Sequence, residues 1–179
     1  MSYSEPREVI AAEPTVPPER LLRVLVANET DSAVDAERLE AAVRLALEPS
    51  DYQWIEVSVA VVDDEMIHRL NRQFLDHDYP TDVLSFALED RPPRLEGEII
   101  VSLDTAIRRA AEIGWSAADE LLLYVIHGAL HLAGMRDKTT ADAARMHAAE
   151  AALLGRLGVR RSTGDPRWAS ESAQEGRSS

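Results

Sequence analysis

Hydrophobic residues recur with two different periods along this chain. Four stretches are rich in leucine and β-branched residues and alternate with polar residues or become wholly apolar, which is typical of strands. They lie at 21–28, 54–62, 83–88 and 97–103. Five other stretches repeat apolar residues three and four positions apart, as on one face of a helix. They lie at 35–48, 65–75, 104–113, 139–154 and in a segment that opens at Ser116. The pattern predicts an α+β protein with about four strands and about five helices.

Two local features add expectations that the structure can test. In the helix at 65–75, the apolar residues Met66, Ile67, Leu70 and Phe74 form the expected buried stripe. The segment 89–95, EDRPPRL, is predicted to be an exposed loop that joins the last two strands.

The helix that opens at Ser116 is expected to be central and buried, because residues 121–126 are apolar on every side. It carries His127 and His131 at its far end. Residues four apart share one face of a helix, so both rings can reach a common point. Gly134 can end the helix and turn the chain, which would bring the Asp137 carboxylate to the open side of the pair. We therefore predict a metal site on His127, His131 and Asp137, with a position left for water.

Composition limits which residues can hold a metal and which ligands the chain can bind. The chain has no cysteine, which excludes disulfides, thiolate zinc sites and cysteine nucleophiles, so a metal must be held by His, Asp, Glu or water. The net charge of -13 argues against general binding of polyanions. A local arginine-lined groove would still be compatible with RNA, and the basic residues are almost all arginine, with Lys138 the sole lysine.

Charge and proline content suggest three regions. Residues 1–20 are predicted to be a disordered N-terminal lead, 21–158 a single domain, and 159–179 a disordered tail. No apolar run approaches the roughly 20 residues of a membrane span, and the N-terminus does not resemble a signal peptide. We therefore expect a cytoplasmic protein without a membrane partner.

The spacing HxxxHxxGxxD invites comparison with zinc metalloproteases. Those enzymes place a glutamate directly after the first histidine as general base, and here that position is Gly128. What remains is a metal that activates water or polarises an oxygen of a charged substrate such as a phosphodiester.

Four ordered blocks resemble the YbeY family of bacterial endoribonucleases and rRNA maturation factors. They are LNRQF at 70–74, DYPTDVLSF at 78–86, GEIIVSLDTA at 97–106 and HGALHLAG at 127–134. The resemblance implies a small mixed β-sheet packed with helices and one zinc ion per chain at the end of the central helix. It also implies cleavage of single-stranded RNA in rRNA maturation and ribosome quality control, with ribosomal RNA or the small ribosomal subunit as partner.

The chain departs from the family pattern near the site. His127 and His131 match the two helical zinc ligands, whereas Asp137 stands where the family usually has a third histidine and Arg136 where it usually has an aspartate. Leu75 occupies the position of an arginine held to serve activity, and His77 that of a lysine. We expect the metal site to be kept, with its chemistry altered by a carboxylate in place of the third imidazole.

Two further residues complete the hypothesis. Asp82 could line the groove to the metal and hydrogen-bond a ligand histidine or a bound water, and Arg136 could supply the phosphate contact that Leu75 cannot. Two other functions stay open: a ribosome or rRNA binding factor with a mainly structural zinc, and a metallohydrolase of another substrate.

Overall fold

Four strands and five helices make up residues 20–160, the part of the chain that the computed structural model describes. In chain order they are β1 (Leu21–Asn28), α1 (Ala36–Leu47), β2 (Trp54–Val62), α2 (Asp64–Leu75), β3 (Val83–Arg91), β4 (Arg94–Ser102), α3 (Leu103–Ile113), α4 (Ala117–Leu132) and α5 (Thr140–Arg156). The predicted α+β class and the approximate number of each element are confirmed.

The strands form one mixed sheet in the order β1-β2-β4-β3. The β1, β2 and β4 strands run parallel, and β3 returns antiparallel along β4 at the edge of the sheet. The parallel pairs are joined through helices, as parallel strands require. The hairpin joins β3 directly to β4, which places the start of β3 beside the end of β4.

Short polar side chains define where the helices begin. Asp63, Ser102, Ser116 and Thr139 each accept a hydrogen bond from a backbone N–H in the first turn of α2, α3, α4 and α5. Ser116 and Thr139 lie where the sequence pattern predicts the last two helices to begin. Ser102 caps α3, so this helix begins before Asp104, the expected start.

The main core lies between one face of the sheet and helices α1, α4 and α5. Helix α4 is enclosed almost completely, with every residue from Glu120 to Ile126 buried. A smaller cluster, Val62, Ile67, Leu84 and Ile100, lies on the opposite face of the sheet beneath α2. The predicted central, buried helix is confirmed, and its C-terminal end carries His127 and His131.

Two expectations are wrong. The segment 89–95 is largely strand, because β3 continues to Arg91 and β4 begins at Arg94, which leaves only Pro92 and Pro93 as the turn. In α2, Ile67 is buried but Phe74 is 58% exposed and Met66 36% exposed. Helix α2 contacts the sheet through Ile67 and the partly buried Leu70. Phe74, at the helix end, packs against Phe86 alone among the aromatic rings of residues 20–160.

The predicted division into lead, domain and tail stays a prediction, because residues 1–19 and 161–179 lie outside the described residues. Arg20, at the edge of the predicted lead, donates hydrogen bonds to the carbonyl oxygens of Leu47 and Glu48. Val159, at the edge of the predicted tail, is buried in the main core. Within residues 20–160, no helix is long and apolar enough to cross a membrane.

Candidate metal centre

Helix α4 and the turn after it bring three predicted ligands together. His127 and His131 lie one helical turn apart on the same face of α4. Gly134 then adopts a φ of 90°, a conformation that favours glycine, and the backbone N–H of Met135 donates back to the carbonyl oxygen of Leu130. The chain thereby reverses, and Asp137 reaches the two rings.

The distances between the ligand atoms fit a single metal ion. The Nε2 atoms of His127 and His131 are 2.9 Å apart, and Oδ2 of Asp137 lies 3.8 Å from the first and 3.6 Å from the second. In a tetrahedral zinc site, ligand atoms about 2.0–2.2 Å from the ion are about 3.3–3.6 Å from one another. His127, His131 and Asp137 could therefore hold a metal ion.

Hydrogen bonds at the far side of each ring fix which nitrogen faces the site. Nδ1 of His127 donates to Oε1 of Glu150 at 2.7 Å, and Nδ1 of His131 donates to the carbonyl oxygen of Met135 at 3.0 Å. Both acceptors are oxygens without a proton to offer, so both Nδ1 atoms carry the hydrogen. The two Nε2 lone pairs then point toward each other, an arrangement that a cation between them stabilises.

Glu150 is the residue of this site that sequence reasoning missed. It lies on α5, is only 3% exposed, and reaches His127 across the contact between α5 and α4. A signal was present in the sequence: Glu150 occupies the buried stripe that Met146, Leu153 and Leu154 also form. A carboxylate at a position that the helical period assigns to the core indicates a specific buried partner.

Nearby charges set the protonation of His127. Burial lowers the pKa of its ring, but the hydrogen bond to Glu150 and the negative charges of Glu150, Asp82 and Asp137 raise it more. The net result is a pKa above the ordinary value, so the site attracts positive charge.

Asp82 lies at the start of β3, beside α4. Its Oδ1 accepts hydrogen bonds from the N–H of Val83 at 2.8 Å and from the hydroxyl of Thr81 at 3.1 Å, which hold the carboxylate in place. Its negative charge is one of those that raise the pKa of His127.

Gly128 is a glycine because α4 lies very close to the sheet there. A Cβ atom at this position would be 2.8 Å from Cγ2 of Ile99 and 3.2 Å from Cγ2 of Val83. Ile99 is fully buried and β-branched, so it has little freedom to move away. A glutamate at this position, which a metalloprotease of this spacing would need, does not fit.

A cavity of about 400 Å³ lies beside α4, and the three candidate ligands are not among its lining residues. Glu120 and Tyr124 line it and lie on the same helical stripe as His127 and His131. Across the cavity lie Asp82 and Thr81 from the β3 side, with Arg108 and Arg109 of α3 also among the lining residues.

At the surface, Arg108 pairs with Asp64 at 2.9 Å and Arg109 with Glu112 at 2.9 Å. Arg136, next to Asp137, is exposed, and Leu75 is 46% exposed at the end of α2.

A mixed sheet that supports a buried helix, with a His-His-carboxylate cluster at the end of that helix, defines a small α+β protein with a candidate metal centre. A model of the family described as Endoribonuclease YbeY matches residues 25–158. The chain belongs to the YbeY family, whose description as endoribonucleases is that of RNA-cleaving hydrolases.

Individual relatives agree with the family match. The Endoribonuclease YbeY of Roseiflexus castenholzii is 41% identical over 153 residues, which cover 80% of this chain and 96% of the relative. That of Rhodopirellula baltica is 48% identical over 105 residues, so this chain spans only 54% of that relative's length. The solution structure of TM1509 from Thermotoga maritima matches with a TM-score of 0.55 and 28% identity, and covers 75% of this chain and 91% of that one.

Proposed function

We propose that this protein is a metal-dependent endoribonuclease that cleaves single-stranded RNA. The observation that carries the proposal is the convergence of His127, His131 and Asp137, with ligand atoms 2.9–3.8 Å apart, in a chain of the YbeY family. Cleavage in rRNA maturation and ribosome quality control, with rRNA or the small subunit as partner, and a cytoplasmic location belong to the same proposal.

The residues of the chain have separate tasks in this proposal. His127 and His131 hold one zinc ion through Nε2, and Asp137 is the third ligand. When bound, the ion acts as a Lewis acid toward water and toward an oxygen of the phosphodiester. Glu150 and the carbonyl of Met135 keep both rings oriented through Nδ1.

Two residues at the edge of the site complete the proposal. Asp82 hydrogen-bonds a ligand histidine or a water molecule at the site, and Arg136 contacts a phosphate of the RNA. For Asp82, we expect Asp82→Ala to weaken metal retention or cleavage while the fold persists; unchanged zinc content and cleavage would remove this role.

For Arg136, Arg136→Ala should lower RNA affinity, and equal affinity would remove its role as a phosphate contact.

The ligand count favours an enzymatic over a structural zinc. Structural zinc sites in proteins are closed by four protein ligands, whereas catalytic sites use three and keep one position open. Among residues 20–160, the cluster offers three ligands. Stoichiometric zinc without turnover of any single-stranded RNA, together with co-sedimentation with ribosomes, would instead favour a binding factor. Turnover of a peptide or small phosphoester that His131→Ala abolishes would favour a hydrolase of another substrate.

The proposed function is tested by adding a chelator and then restoring metal. Purified protein is incubated with labelled single-stranded RNA and with the same RNA in a duplex. We expect cleavage of the single strand alone, loss of cleavage when the metal is removed, and recovery when Zn²⁺ is returned. Equal cleavage before and after complete metal removal would contradict the proposal.

A further inference from the structure

An exposed cluster of apolar and aromatic side chains lies where α2 ends and the chain turns toward β3. We call it the aromatic patch, and it consists of Phe74, Leu75, His77 and Tyr79. Phe74 is 58% exposed, Leu75 46% and Tyr79 54%, and these side chains lie within six consecutive residues. Large apolar side chains grouped on a surface in this way indicate a binding surface.

The rings of the patch are arranged for stacking. His77 and Tyr79 lie nearly parallel, with an angle of 13° between their planes and 5.4 Å between their centroids. Both residues are exposed, so a further planar group can stack on this pair.

The backbone beneath the rings is held in place. Asn71, which is buried, donates its side-chain N–H to the carbonyl oxygen of Tyr79 at 2.8 Å. The backbone N–H of His77 donates to the carbonyl oxygen of Asn71 at 3.4 Å, and the Asp78 carboxylate contacts His68 at 2.9 Å. Because the segment is already ordered, a ligand that stacks on it loses little free energy to ordering the protein.

Three residues of chain separate Tyr79 from Val83, the first residue of β3, which packs beside α4 next to His127. Tyr79 is three residues before Asp82, so their Cα atoms are at most about 11 Å apart. Val83, the next residue, packs against α4 at Gly128, the neighbour of His127. A nucleic-acid strand held at the metal centre can therefore cross the patch within a few nucleotides.

Charge decides what kind of contact the patch makes. The chain has a net charge of -13, and Asp76 and Asp78 lie within the same segment. Arg72, the cation at the end of α2, is 3.9 Å from Asp78 and is partly neutralised by it. Affinity for a polyanion here must come from contacts that do not depend on cations, and stacking of bases on aromatic rings is such a contact.

We propose that the aromatic patch binds unpaired bases of single-stranded RNA by stacking, with Tyr79 as its main contact. This inference rests on the proposed function, because it takes the RNA held at the metal centre as the occupant. It adds a reason for preferring single strands: the bases of a duplex are stacked on each other and cannot stack on Tyr79.

The test measures binding of the zinc-loaded protein to a short labelled oligoadenylate and to an abasic strand of the same length. Replacing the Tyr79 side chain leaves its backbone contact with Asn71 in place, so the variants should fold. We expect Tyr79→Ala and Tyr79→Leu each to weaken oligoadenylate binding by roughly tenfold to a hundredfold. Tyr79→Phe should stay within about twofold of the wild type, since the ring is retained.

The matched control is Leu25→Ala on β1, a similarly exposed apolar residue (48%) on the opposite edge of the sheet, which should bind oligoadenylate like the wild type. The abasic strand should bind weakly to every variant. Unchanged binding by Tyr79→Ala, or equally tight binding of the abasic strand, would overturn the proposal. If Tyr79→Leu binds as well as Tyr79→Phe, the patch is a general apolar surface that fits a protein partner, and base stacking is again overturned.

Cleavage is assayed in parallel, which separates this inference from the proposed function. Wild-type cleavage with the same KM in Tyr79→Ala would leave the endoribonuclease standing and remove the stacking role. Ring-dependent oligoadenylate binding without cleavage would leave the patch standing and remove the enzyme. A wild type that neither binds nor cleaves would contradict both.

Discussion

At the scale of single residues, Glu150 directly influences a candidate metal ligand, His127. Its buried carboxylate accepts the Nδ1 hydrogen of His127, which fixes the ring and makes Nε2 a better electron donor. Partners of this kind are typically worth a factor of about 10–100 in metal affinity. We therefore predict that Glu150→Gln lowers zinc affinity by roughly that factor, measured by competition with a chromophoric chelator.

The glutamine variant keeps the shape and the hydrogen-bond acceptor while it removes the charge. Glu112→Gln on α3 is a suitable control, because Glu112 is half exposed and pairs with Arg109, not with a ligand. Its zinc affinity should equal that of the wild type. If Glu150→Gln also binds zinc as tightly as the wild type, Glu150 only fills space beside His127.

At the scale of elements, the close contact between α4 and the sheet determines the position of the ligands. Gly128 allows Ile99 and Val83 to approach the helix backbone beside His127. Gly128→Ala would place a methyl group 2.8 Å from Cγ2 of Ile99. We expect the free energy of unfolding to fall by about 1–3 kcal/mol, measured by denaturant unfolding.

Gly155 offers a matched control within another helix. It lies in α5, and a Cβ atom there would meet nothing within 4 Å. Because alanine favours helix over glycine, Gly155→Ala should raise the free energy of unfolding by about 0.5 kcal/mol. If Gly128→Ala lowers the free energy of unfolding no more than Gly155→Ala does, α4 can move away from the sheet without cost. That result would contradict the close packing of α4 on the sheet.

At the junction of α2 and α3, the Asp64 carboxylate accepts hydrogen bonds from Ser102, Thr105 and Arg108. Burial raises the pKa of Asp64, but hydrogen bonds from Ser102, Thr105 and Arg108 lower it more, so its net pKa lies below the ordinary value. A carboxylate with a depressed pKa in the folded state stabilises the protein above its unfolded pKa of about 3.9. That stabilisation is lost as the pH falls through the folded pKa.

We therefore predict a pH-dependent effect of Asp64→Asn. At neutral pH the variant should lose on the order of 1 kcal/mol of unfolding free energy, since a partly exposed ion pair with hydrogen bonds is worth about that much. Below about pH 4 the difference from the wild type should shrink. Unfolding curves across this pH range provide the measurement, with Asp31→Asn, at an exposed loop position, as control. A difference that stays constant with pH would mean that the charge of Asp64 does not stabilise this junction.

At the scale of the whole molecule, periodicity was sufficient to place every helix and strand of residues 20–160. Strand β2 matches its predicted bounds, and capping residues such as Ser116 and Thr139 marked the helix starts. These signals are local, because they depend on side chains within one or two turns of each other. The convergence of His127, His131 and Asp137 was predictable for the same reason, since these three residues lie within eleven consecutive residues.

Features that depend on packing between distant elements were not predictable. The contact of Glu150 with His127 requires α5 to pack on α4, 23 residues away in the chain. Phe74 follows the helical period of a buried stripe, but within residues 20–160 no element covers it at the end of α2, where the chain turns toward β3. The Pro92-Pro93 pair signals a turn, but the length of the turn depends on how far β3 and β4 pair, which is a contact between two strands.

The central claim is that a metal held by His127, His131 and Asp137 is required for RNA cleavage. The most direct measurement compares metal content and cleavage of single-stranded RNA side by side for the wild type and His127→Ala, with retained fold checked by circular dichroism. We predict about one equivalent of zinc and cleavage in the wild type, and loss of both in the folded variant. Full cleavage by a variant that holds no metal would contradict the account.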